Sequence, residues 1–133
     1  MPVPGGTITF YLQELVTANT NYTAGYSTYP PGFLARMAPD DDARLRLASA
    51  ASAKKTKATN VTSEPGTLDG YPCRKASMHI TIPETGRTET LRKVSAIANG
   101  RMYMAQSIVL DGAPATEHDK AKRFLDSFTL KTP

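Results

Sequence analysis

Tryptophan is absent from this chain of 133 residues, cysteine occurs once, at Cys73, and histidine twice, at His79 and His118. A lone cysteine excludes an internal disulfide and any cysteine-based metal site. Neither histidine has a neighbour at metal-ligand spacing, so no metal is expected. Gly-x-Gly-x-x-Gly and Walker-type loops are missing, which drops nucleotide binding by those routes and leaves no cofactor to expect. No apolar run approaches the roughly 20 residues that a membrane-crossing helix needs. The start of the chain lacks a charged segment followed by an apolar stretch of the kind that directs export. The expectation is therefore a cytoplasmic protein or one whose signal segment was removed ahead of Met1.

What is present describes one ordinary globular domain spanning residues 1–133, with 40% hydrophobic and 21% charged residues. The net charge of +4 gives a mild attraction for anions. Its cations are spread along the sequence without the interleaved aromatics that a single-strand binder uses for stacking, so no specific nucleic-acid partner is expected.

The clearest packing instruction lies near the C-terminus. Ala121, Phe124, Leu125 and Phe128 fall at i, i+3, i+4 and i+7, and Lys120, Lys122, Arg123 and Asp126 take the other side. This is an amphipathic helix, expected over about 116–127 with Thr116 as its cap. A second helix is expected over about 40–53, where Asp40, Asp41 and Asp42 oppose the macrodipole at the start and Lys54 and Lys55 at the end of an alanine-rich run. The dipole accounts for the three aspartates without a cation.

Between and before the helices the period is two. Residues 7–16 alternate Ile8, Phe10 and Leu12 with Thr9, Tyr11 and Gln13, and 22–29 follow as the return strand of a hairpin closed by Pro30-Pro31-Gly32. Residues 33–38 read as a connector, and 57–68 as a less regular strand interrupted at Pro65-Gly66. Segments 71–82, 90–98 and 101–110 complete the set, joined by a loop over 83–87 and by Asn99-Gly100, a type I′ turn signal. A short strand is expected over 129–131. The fold class is α+β, an antiparallel sheet of about six strands with two helices packed on it.

Folding the strands about their turns sets Ala96 opposite Tyr103, places His79 near Arg92, and gives the sheet two unlike faces. One gathers Met78, Ile80, Leu91, Ile97, Met102, Met104 and Ile108. The other gathers Lys75, Ser77, His79, Arg92, Val94, Ala96, Tyr103, Ala105 and Ser107, small at the centre and polar around it. Lys75, His79, Arg92 and Tyr103 are the candidate binding residues, with Arg92 and His79 available to an anionic group. The alternative is that the alanine-rich helix packs on the small residues and leaves the polar ones at its margin. No catalytic residues are expected: Cys73 and His79 lie about 20 Å apart along one strand, too far for a nucleophile and its base.

Three ordered segments, Leu68-Asp-Gly-Tyr-Pro-Cys-Arg74, Asn99-Gly-Arg-Met-Tyr-Met104 and Arg123-Phe-Leu-Asp-Ser-Phe128, resemble a group of uncharacterised bacterial domains. Those carry Gly-x-Pro-Gly-Arg, Arg-Leu-Tyr and Arg-Phe-Leu-Asp-Ser-Phe at similar spacing; Cys73 stands here where their pattern has glycine. These domains are similar to the PsbP and Mog-type fold, an antiparallel sheet with helices against it. The resemblance implies a non-catalytic accessory or binding module, periplasmic or extracellular, acting on a protein partner. A small-molecule carrier is the alternative, and an unrecognised hydrolase the third reading.

Overall fold

The computed structural model describes residues 1–130. A short pair, β1 (Pro2–Val3) and β2 (Gly6–Thr7), precedes β3 (Thr9–Val16), β4 (Thr20–Thr28), α1 (Phe33–Met37), α2 (Asp41–Thr56), β5 (Thr59–Leu68), β6 (Tyr71–Thr81), β7 (Thr88–Ala98), β8 (Arg101–Leu110) and α3 (Ala115–Asp126). β3 to β8 form one antiparallel sheet in the order β3-β4-β8-β7-β6-β5. The expected α+β class and the six-stranded antiparallel sheet are thus observed.

Two tight hairpins set the register of its longest strands. Asn99 and Gly100 have φ of 52° and 74°, and Asp69 and Gly70 have φ of 50° and 83°, so both turns place two successive residues in the left-handed region that a type I′ turn requires. Ala96 accordingly pairs with Tyr103. The loop after β6 closes earlier than expected: Ile82 N–H donates to the Arg87 carbonyl and Gly86 N–H to the Ile82 carbonyl. This sets His79 opposite Thr90 and Ser77 opposite Arg92, so the expected His79–Arg92 neighbourhood is displaced by two residues.

α2 and α3 cover opposite faces of the sheet. α3 lies on β4, β7 and β8, where Phe124, Leu125 and Phe128 press on Cys73, Val94, Ala96 and Ala105. α2 lies over β5, β6 and β7, where Ala53 meets a cluster of Ala76, Met78 and Leu91. The alternative reading, in which the alanine-rich helix covers the small-residue face, is therefore corrected: α3 covers it. Close packing demands complementary volumes: bulky helix residues sit on sheet alanines, and helix alanines sit on sheet methionine and leucine.

Local chemistry explains both ends of α2 and the start of α3. The Asp40 carboxylate accepts from Ala43 N–H at 2.8 Å and caps α2, Asp41 pairs with Arg44 at 2.6 Å, and Asp42 reaches Arg74 of β6 at 3.2 Å. The helix stops at Lys57, whose φ of 54° turns the chain into β5. At the last helix the expected cap is displaced, because Pro114 occupies the N-cap position and Thr116 lies inside the first turn. Residues 33–37, expected as a connector, form α1, where Phe33 stacks on Tyr29 at 5.4 Å. Of the strand expected over 129–131, Lys131 lies outside the described residues; Thr129 and Leu130 are irregular, and Leu130 N–H donates to the Asp69 carboxylate at 2.6 Å.

Candidate functional site

Strand alternation aims Lys75 and Ser77 of β6 and Arg92 and Val94 of β7 at the α3 side of the sheet. α3 does not reach the β5 edge, and a groove of about 430 Å³ remains beside it. Val94 is buried there, Thr62 and Glu64 of β5 form one wall, and Lys122, Leu125 and Asp126 of α3 form the other. Two of the four expected residues, Lys75 and Arg92, thus come together, joined by Lys122, whose place on the solvent side of the helix pattern gave no hint of it. Among the described residues neither Lys75 nor Lys122 has a carboxylate within ion-pair distance. Both ammonium groups are free to take an anionic partner.

Arg92 is held at one end of this groove by α3. Its two terminal nitrogens donate to His118 Nδ1 at 3.3 and 3.4 Å. A guanidinium only donates, so this contact requires Nδ1 as acceptor and places the ring proton on Nε2. His118 is half-buried and serves as the seat for Arg92. Glu117 beside it accepts from the Thr20 hydroxyl at 3.4 Å and pairs with Lys120 at 3.6 Å, tying the start of α3 to β4. Beneath the helix, Ser107 is fully buried and its hydroxyl has no hydrogen-bond partner among the described residues.

His79 belongs to a different cluster. The Thr90 hydroxyl donates to Asp111 at 2.5 Å and lies 3.4 Å from His79 Nδ1, and Asp111 Oδ2 is 3.6 Å from the same ring nitrogen. Asp111 was not singled out in the sequence because it stands one residue past the end of β8, where the strand period no longer applies. The arrangement orients the imidazole, but it is not that of an activated hydroxyl: Thr90 gives its proton to the carboxylate, and both oxygens crowd one ring nitrogen. Burial would push the Asp111 carboxyl up, but hydrogen bonds from Thr90 and Thr88 together with the nearby imidazole outweigh it and hold the carboxyl below its usual range. A depressed folded-state value contributes stability above the unfolded carboxyl value of about 3.9, and that contribution is lost as pH falls through the lower folded value. Asp111→Asn is expected to lower the melting temperature at neutral pH and to flatten its fall below about pH 4. Melting curves of both proteins from pH 2 to 7 check this; parallel profiles would refute it.

Tyr103 also stands apart from the groove. It lies against Tyr26 at 5.6 Å, Tyr26 stacks on Tyr11 at 4.9 Å, and the Arg101 guanidinium sits 4.7 Å above the Tyr26 ring. Cross-strand aromatic pairs of this kind stabilise a sheet by about 0.2–1 kcal/mol each. Cys73 is a buried core residue; burial pushes its thiol up, and Lys75 opposes this in part. Lys93, next to Arg92 but on the opposite face, has its ammonium value lowered by burial.

Neither the family models nor the curated proteins contain a match to this chain. Two solved structures are similar to it in fold. PA94 of Pseudomonas aeruginosa, a protein of unknown function, superposes with a TM-score of 0.62 at 10% identity, over 100% of this chain and 90% of its own. LpqN of Mycobacterium tuberculosis, a protein involved in cell envelope biogenesis, superposes with a TM-score of 0.59 at 16% identity, over 98% of this chain and 87% of its own.

Proposed function

We propose that this chain is a non-catalytic accessory domain of the PsbP and Mog type, exported to the periplasm or beyond, which holds an acidic segment of a partner protein in the groove beside α3. The observation that carries this reading is the convergence of Lys75, Arg92 and Lys122 on one groove, two of them without an ion-pair partner among the described residues. Glu64 and Asp126 at the same groove reject a uniformly acidic surface and favour a segment with its own cation between carboxylates. A small-molecule carrier needs an enclosed cavity. Here α3 covers the small residues Ala96 and Ala105, and the space left is an open groove, which favours a protein segment over a carried ligand.

Titration with a short peptide alternating glutamate and lysine is expected to shift the backbone resonances of Ser77, Val94, Lys122 and Leu125. The double variant Lys75→Glu/Lys122→Glu should bind that peptide about tenfold more weakly, two exposed pairs at roughly 0.2–1 kcal/mol each being replaced by repulsion. Shifts scattered over the surface, or binding unchanged in the double variant, would refute the groove as the site.

A further inference from the structure

The two edges of the sheet are built differently. β5 carries Pro65, a register shift between Thr59 and Thr62, and Asn60 at φ 50°, the features by which an edge strand resists pairing with another chain. β3 has none of them. It runs in unbroken register from Thr9 to Val16, without proline, lysine or bulge, and every residue in it is exposed. Its apolar side chains stand on both faces: Phe10, Leu12 and Val16 at 54, 51 and 63% exposure on one, Tyr11 and Leu15 at 52 and 63% on the other.

We infer that β3 is a homodimer edge, pairing antiparallel with β3 of a second copy about a two-fold axis at Gln13. The strand's own sequence selects that register. A two-fold on an antiparallel pair matches residues of like face, and with Gln13 opposite itself Phe10 meets Val16 and Tyr11 meets Leu15, each twice. Centring on Leu12 instead leaves Leu12 with itself as the one apolar match within the strand, and centring on Glu14 stacks two carboxylates. Glu14 is the only charged residue of the strand, and the Gln13 register places it against Leu12. The five apolar side chains each expose about half of roughly 150–200 Å². Two copies with their backbones therefore offer at most on the order of 1,000 Å² to the contact, at the lower bound for a specific interface. The product is a reversible dimer with one continuous twelve-stranded sheet.

Sedimentation velocity over a range of concentrations, on the wild type and on two axis variants, tests the register. Gln13 is exposed and outside the core, so Gln13→Lys and Gln13→Glu leave the fold intact. Wild type is expected to dimerise reversibly. Each variant alone should dissociate about tenfold more readily, because like charges meet at the axis, and an equimolar mixture of the two should regain wild-type association. A wild type that stays monomeric at every concentration overturns the inference and leaves the edge to a strand from another protein. Dimers that persist in both variants, or a mixture that fails to recover, overturn the β3 contact and its register.

Discussion

Leu45→Ala is expected to lower the free energy of unfolding by about 2–5 kcal/mol. Leu45 has no exposed surface and is the largest fully buried side chain among the described residues. Besides Leu45 and the exposed Leu47, α2 holds only alanine, serine, threonine and charged residues, and Ser49 is the only other buried residue of the helix. One side chain therefore carries most of the apolar attachment of α2, and the Asp42–Arg74 ion pair, half-exposed on its carboxylate side, is too weak to replace it. For a domain of this size each kcal/mol moves the melting temperature by roughly 3–5 °C, so a fall on the order of 10–20 °C is expected. Leu47, two residues along and 50% exposed, is the control: Leu47→Ala should stay within about 0.5 kcal/mol. Equal losses in the two variants would mean that α2 is not anchored through Leu45.

The strands were legible because period two needs only local sequence, and the turn at Asn99-Gly100 because positive φ at two successive residues admits few side chains. The C-terminal helix was legible from Ala121, Phe124, Leu125 and Phe128 alone. Which helix takes which face was not, although the chemistry of both faces had been read correctly. α3 carries a clear apolar stripe, but α2 offers the sheet little beyond Leu45, alanine and serine, so its pattern does not select a face. Volume does: Phe124 and Phe128 fit over Ala96 and Ala105, and Met78 and Leu91 already fill the space above the sheet that α2 leaves with its alanines. The candidate site suffered from the same limit. Lys75 and Arg92 share a face and come together, whereas the early closure of the loop after β6 sets His79 two residues away from Arg92; Lys122 and His118 join the groove through the placement of α3, and Asp111 joins His79 from the end of β8. Contacts between elements depend on register and docking, which a single strand's pattern does not contain.

The second large effect is expected at Gly25, in the middle of β4. A strand glycine there costs β-propensity, and the sequence offers no turn to account for it. The structure supplies the reason: a Cβ on Gly25 would collide with the Tyr11 carbonyl, and would stand 2.9 Å from Leu12 Cα and 2.9 Å from its Cδ2. Leu12 lies down across the sheet at the point where Gly25 leaves it room. Because two of the three obstructing atoms are backbone, a rotamer change gives no relief, and Gly25→Val must push β3 away from β4. A loss of about 3 kcal/mol is expected, although valine is the better strand former. Gly112→Ala is the control, since a Cβ there meets nothing within 4 Å. The damage should also be local. Hydrogen exchange in Gly25→Val should show lost protection in β3 and the facing half of β4, while β6 and β7 between the two helices keep theirs. Since β3 is also the inferred dimer edge, the same variant should sediment as a monomer. A variant that loses stability evenly across the sheet would place the strain in the core, and one that loses none would mean that Leu12 does not occupy the space Gly25 leaves.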